Sequence, residues 1–277
     1  MWKRSVAVLS ATAWLCSSAW GNGPPQVDQA GREGYAAYLQ ASGHKAYAVA
    51  TGGVWTWRAE MSSSNAARDT VLEDCAGRTR QRCFLYSVDG RVVLDEPTWW
   101  QAWGPYPSSA DAGRAVTGTR RGERFPDLLL NDAKGRKLRL SDLRGKVVVA
   151  HFWGSWCPHC IREMPDLQGL YERLRSHRRV TFMLLPVRES FAQAQAWAKG
   201  KKVRMPLYDG GVTVMKDNAF KLADGGLLPD RQVARVFPST YVLDRHGVVL
   251  FSHTGPVASW MDYLPQLLDA AARSGRR

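Results

Sequence analysis

Acidic residues are short in this chain: 25 Asp and Glu stand against 38 Lys and Arg, a formal net charge of +13. Cysteine is scarcer, with five in 277 residues. Long apolar runs are missing too. The longest, Ser5–Leu15, holds about eleven residues, where a bilayer span takes roughly 20, and this excludes a multispanning membrane protein. No internal repeat or low-complexity tract occurs, and no aromatic–basic motif of the nucleic-acid-binding kind accompanies the positive charge. Apolar residues at 45% and charged residues at 23% exclude a disordered or collagen-like chain. What remains is a folded protein with enough apolar material for two cores.

The cysteines are odd in number, and the first twenty residues account for one of them. Lys3 and Arg4 precede the Ser5–Leu15 run, and small residues follow at Ser17, Ser18 and Ala19. That order is the pattern of a secretory signal peptide over residues 1–20, cut near 19–21. An uncleaved anchor is the rival, and Cys16 follows a poor lipobox. Cleavage removes Cys16 and lowers the charge to +11 once Lys3 and Arg4 leave. The expected location is the periplasm or the exterior, where disulfides persist. The remaining basic residues form short clusters separated by acids, which reads as a solvated basic surface, with no nucleic-acid partner expected.

Composition divides the rest. Residues 97–122 hold Pro97, Pro105, Pro107, Ser108, Ser109, Gly113, Gly118 and Gly122, as a linker would. Upstream, residues 30–96 read as a small α+β unit. Ala46 to Trp57 is strand-like with a Gly52-Gly53 turn, Ser62 to Ser64 precede a helix over Ala66 to Ala76, and Cys83–Val88 and Arg91–Leu94 form a hairpin about Asp89-Gly90. Cys75 ends the helix and Cys83 starts the strand. A bridge between them would add about 2–3 kcal/mol to a domain too small for a large core. A second redox-active pair is the alternative. This unit weakly resembles a family of small secreted domains of unknown function, which have a Trp-rich strand, an Ala-rich helix and this cysteine pair.

Downstream, residues 123–273 follow an α/β pattern. Lys146 to Phe152 is a β-branched apolar strand, and Trp153-Gly154-Ser155-Trp156-Cys157-Pro158-His159-Cys160 follows it. A helical pattern then runs through Ile161, Met164, Leu167, Leu170, Tyr171 and Leu174. Unpaired N–H groups and the positive dipole end at a helix start stabilise a thiolate. Cys157 is thereby the expected nucleophile, and Cys160, one turn in, the resolving thiol. Zinc is the rival for such a motif, but no second ligand pair stands at suitable spacing.

This region resembles the thioredoxin superfamily, in particular the exported TlpA/ResA-type thiol–disulfide oxidoreductases. The landmarks are Phe125-Pro126-Asp127, Leu140 to Lys146, the Trp-x-x-Trp-Cys-Pro-His-Cys box, Glu163-Met164-Pro165, Pro186 to Ser190, and Phe237 to Gly247. The resemblance implies a thioredoxin fold, a central mixed sheet flanked by helices. It implies a cis-proline at Pro238 facing the cysteines, with Phe237 where relatives often carry a smaller residue, and Trp153 and Trp156 shielding the site. It implies protein thiol or disulfide clients, an upstream redox partner such as a membrane electron-transfer protein, a role such as cytochrome c maturation, and no cofactor beyond the redox-active cysteines.

Two residues are candidates for moving the proton of Cys160. Glu189 matches the family's acidic residue near the site, and His151 lies six residues before Cys157, where thioredoxin has a buried carboxylate. Pro158-His159 is the dipeptide of the oxidase DsbA, with a potential near about −120 mV against about −270 mV for thioredoxin. His159 would push an otherwise reducing family toward an oxidase or isomerase. Two other classes remain: a Sco-like metal chaperone using Cys157, Cys160 and His253, and a binding module run by the N-terminal unit. Trp99, Trp100 and Trp103 are expected to pack between the two units.

Overall fold

The computed structural model describes residues 23–213 and 218–273. The expected signal segment 1–20 lies outside them. Among the described residues no helix is long and apolar enough to cross a membrane.

The N-terminal unit runs α1 (Gln29–Gln40), β1 (His44–Ala50), β2 (Val54–Met61), α2 (Ser64–Arg78), β3 (Cys83–Val88) and β4 (Arg91–Val92). Its sheet is antiparallel in the order β2-β1-β3-β4. β1 is central, and its alternation supplies two cores. Ala46, Ala48 and Ala50 meet Ala67, Val71 and Cys75 of α2, small residues that let helix and sheet approach closely. Tyr47 and Val49 face the other way, into an aromatic layer with Tyr38, Phe84, Tyr86 and Trp99. The Ser63 side chain accepts from Ala66 N–H and so caps α2. Cys75 and Cys83 are joined by a disulfide, with Cα atoms 6.1 Å apart, which fastens α2 to β3. The strand–helix–strand reading omits α1. That helix is held by its Asp28 cap, which accepts from Gly31 N–H at 2.8 Å, and by packing of Trp55 against Gly31 and Gly34, where a Cβ would overlap the indole.

The stretch expected as a linker is no open tether. It carries α3 (Glu96–Trp100) and α4 (Ser109–Arg114). Trp99 sinks into the N-terminal core and Trp103 into the C-terminal one, 5.5 Å from the Phe251 ring. Trp100, 41% exposed, takes no such part. The Trp99 carbonyl accepts from Gln266 Nε2 at 3.1 Å, and Tyr106 Oη donates to Asp269 at 2.8 Å. Large buried rings outweigh the breaker residues around them, since burying one contributes about 2–3 kcal/mol.

The C-terminal unit contains β5 (Leu129–Asp132), β6 (Lys137–Arg139), β7 (Val147–Trp153), α5 (Pro158–Leu174), β8 (Val180–Pro186), α6 (Phe191–Gly200), β9 (Tyr208–Asp209), β10 (Ala219–Lys221), β11 (Leu227–Pro229), α7 (Asp230–Val233), β12 (Ser239–Leu243), β13 (Val249–Thr254) and α8 (Leu264–Arg273). The central sheet has the order β13-β12-β7-β8, with β7 and β8 parallel and the other pairs antiparallel. All seven residues of β7 are buried, as its unbroken apolar run requires of a strand covered on both faces. A parallel β–α–β unit followed by a β-hairpin and a helix is the thioredoxin arrangement, and it sets the end of β7 against the start of α5.

Candidate active site

Cys157 is the N-cap of α5, in an extended conformation, with Pro158 at the first helical position. Its Sγ accepts the Cys160 backbone N–H at 3.3 Å, the contact in which a hydroxyl or carboxylate usually caps a helix. The sulfur thus replaces an ordinary cap and takes the positive end of the helix dipole. Both cysteines are free thiols. Cys157 is 4% exposed at the mouth of the site and Cys160 is fully buried behind it. Burial pushes the Cys160 thiol well above its ordinary range, and the Cys157 contact and the Glu163 charge add to the shift.

Three segments close round Cys157. The Phe237–Pro238 peptide bond is cis, and the Phe237 carbonyl receives the Cys157 thiol at 3.8 Å. The Trp156 indole lies over Gly154, where any Cβ would overlap it. Trp156 Nε1 donates to the Val187 carbonyl at 3.0 Å, and its ring meets Phe237 edge-on at 5.2 Å. Arg188 follows Val187 with φ of 63°, and its guanidinium sits 5.0 Å from the Phe237 ring centre. Its Nε donates to Asp230 at 2.8 Å in a partly buried ion pair. Trp153 is fully buried and packs on Trp197, so it supports the site from below.

The expected proton carriers fare differently. Both Glu189 carboxylate oxygens are committed to Ser155, one taking its N–H at 2.7 Å and the other its hydroxyl. Glu189 therefore braces the Trp-Gly-Ser-Trp turn. His151 is buried, its Nδ1 2.8 Å from Thr240 Oγ1, and its Nε2 has no protein partner among the described residues. Burial drives its pKa down to about 3. A ring so reluctant to take a charge is a poor proton acceptor near neutral pH, which removes the basis for a shuttle there. His159 is exposed, and its contact is with Arg162, 2.8 Å from Nδ1. Among the described residues it makes no hydrogen bond to Cys157.

The group that sequence reasoning missed is Glu163. It lies one turn beyond Cys160 on the same face of α5 and is buried. One oxygen accepts Trp260 Nε1–H at 2.5 Å and Val257 N–H at 3.3 Å, while the other is buried without a hydrogen-bond partner. Burial pushes its pKa up to about 7 despite those donors, and Asp166 adds to the rise. A signal was available: a carboxylate placed among Cys160, Met164 and Leu167 on an apolar helical face needs a reason to be there.

His253 packs on Phe251 beside Gly52, at the junction of the two units, and lies 3.4 Å from the Pro256 carbonyl. Among the described residues, no cluster of three or more His, Cys, Asp or Glu side chains is arranged to hold a metal.

Residues 120–263 match the Redoxin family. The chain is 32% identical over 134 residues to the thiol-disulfide oxidoreductase ResA of Geobacillus kaustophilus, covering 48% of this chain and 69% of that one. It is 27% identical over 164 residues to the thioredoxin-like protein YneN of Bacillus subtilis, covering 59% and 85%. The structure of a DsbF homologue from Corynebacterium diphtheriae aligns with a TM-score of 0.40 and 29% identity, over 54% of this chain and 88% of that one. The free cysteine pair at the start of α5 thus stands within a sequence match of more than half the chain, and this protein belongs to the Redoxin family, among the ResA-type thiol–disulfide oxidoreductases.

Proposed function

We propose that this protein is an exported reductase of protein disulfides that works through its Cys-Pro-His-Cys site. The observation that carries the reading is the pairing of a free N-cap sulfur, 4% exposed, with a fully buried free thiol one turn behind it. Cys157, as thiolate, attacks one sulfur of a client disulfide and forms a mixed disulfide, and the first client thiolate leaves. Cys160 then attacks the Cys157 sulfur, closes the internal disulfide and releases the second client thiolate. Two electrons pass to the client, and the two thiol protons of the cysteines end on its sulfurs. The second step needs a base for the Cys160 proton, and Glu163 is the carboxylate suited to it: it is near neutrality in pKa, one turn away, and has a free oxygen.

The reducing direction is supported by His159, whose contact is Arg162 and not the Cys157 sulfur, so the oxidising influence expected of that residue loses its geometric basis. No bound cofactor enters; electrons are returned by a second redox protein, for which a membrane electron-transfer protein suits an exported chain. Export rests on the Lys3–Ala19 pattern. Two measurements test the reading. Cys160→Ser should trap clients as mixed disulfides in the native compartment. The potential measured against glutathione should fall near about −270 mV, and a value near about −120 mV would overturn the reducing direction.

A further inference from the structure

The mouth of the site carries more apolar surface and more unanswered positive charge than exchange chemistry needs. Trp156 is 45% exposed and Val236 is 55% exposed, and they flank Cys157 from two different segments. Neither is loose. Trp156 is pinned by Val187, Gly154 and Phe237, and the turn carrying Val236 is held by Ser239 Oγ, which donates to its carbonyl at 2.6 Å. Fixed apolar side chains bind a partner with little loss of conformational entropy.

The cations and acids near this mouth differ in exposure, with Arg162 and Arg235 exposed and Glu163, Glu189 and Asp230 buried. Arg162 reaches His159 within the Cys-Pro-His-Cys box, and Arg235 is two residues before Phe237; both are exposed, and neither is paired with a carboxylate among the described residues. The nearby acids are already engaged: Glu189 with Ser155, Asp230 with Arg188, and Glu163 and Asp166 with Trp260. Arg188 is answered by Asp230 and adds little net charge. Arg162 and Arg235 are exposed cations without an ion pair among the described residues.

We propose that this rim selects client disulfides whose flanking chain carries an apolar residue and a carboxylate. The proposal rests on the reductase reading and names its substrate class. The apolar residue lies against Trp156 and Val236, and the carboxylate is drawn by Arg162 and Arg235. Charges at a rim act mainly on the association rate and fade with salt.

The test uses two synthetic peptides with one internal disulfide, identical except for Glu or Lys beside an apolar residue next to the reacting cysteine. Pre-reduced full-length protein supplies both electrons in a single turnover, read by stopped flow. The Glu peptide should react about tenfold faster at low ionic strength, with the gap closing in high salt. Arg162→Glu with Arg235→Glu should reverse the order, and Arg235→Gln alone should narrow it about threefold. Trp156→Ala should slow both peptides alike. Equal rates for the two peptides, with neither reduced by Cys157→Ser, would overturn the selectivity and leave the reductase reading intact. A preference that survives the double charge reversal would overturn it too. Failure of the wild type to reduce either peptide would sink the reductase reading itself.

Discussion

Each described cysteine pair sets a sulfur at the end of a helix, but the two ends are opposite ones. Cys75 sits in the last turn of α2, fully buried, where unpaired carbonyls and the negative end of the dipole disfavour a thiolate. Cys157 caps the first turn of α5, where N–H groups and the positive end favour one. The same element therefore makes an inert staple in one unit and a reactive site in the other. Bonding reinforces the difference, since Cys157 is a free thiol and Cys75 is held in a disulfide against the sheet.

The sharpest test removes each pair in turn. Cys157→Ser should lower insulin-disulfide reduction by about 10³-fold or more. Cys75→Ser with Cys83→Ser should keep reduction within about twofold, because the catalytic step does not involve them. If the double variant lost activity while still folded by circular dichroism, the staple would have to be counted as part of the redox machinery.

Glu163→Gln comes next. The resolving step should slow about 10²-fold, seen as accumulation of mixed disulfide in quenched-flow samples. Its pH signature has a definite sign. The folded pKa, near 7, lies above the ordinary carboxylate value of 4.5, so the folded state holds the extra proton. The stabilisation is complete below about pH 4.5 and is lost as pH rises through about 7, on the order of 3 kcal/mol in all. Denaturant melts of the wild type should show that decline and the Gln variant should lack it. An equal decline in both would remove Glu163 as its source.

The staple itself has a smaller measurable effect. Loss of the Cys75–Cys83 bridge should destabilise the N-terminal unit by about 2–3 kcal/mol, read from urea titration with an unchanged slope. Glu189→Ala should cost about 1–2 kcal/mol through the lost Ser155 contacts and lower kcat/KM a few-fold. Its pH–rate profile should stay like the wild type's, in contrast to Glu163→Gln. A shifted profile for the Glu189 variant would return that residue to the proton-handling role.

Much of the fold was legible because its signals are local. Lys146 to Phe152 is apolar at every position, which only a strand covered on both sides tolerates, and the Met164, Leu167, Leu170 spacing describes one helical face. The Gly52-Gly53 turn and the Ser63 cap were readable for the same reason. Residues 97–122 were less so. Proline and glycine mark breaks in regular structure, and they say nothing about whether Trp99 and Trp103 find cores to enter.

What the sequence by itself determined is the chemistry on offer: two cysteines three apart after a buried strand, and a helix whose first turn must meet the first of them. Those are consequences of backbone geometry within some twenty residues. Tertiary structure decided which other groups take part. Glu163 finds its Trp260 partner 97 residues away, Arg188 finds Asp230, Glu189 is turned to Ser155, and burial leaves His151 with a pKa of about 3. A charge's behaviour depends on the solvent and neighbours left to it after packing, and no local pattern records those.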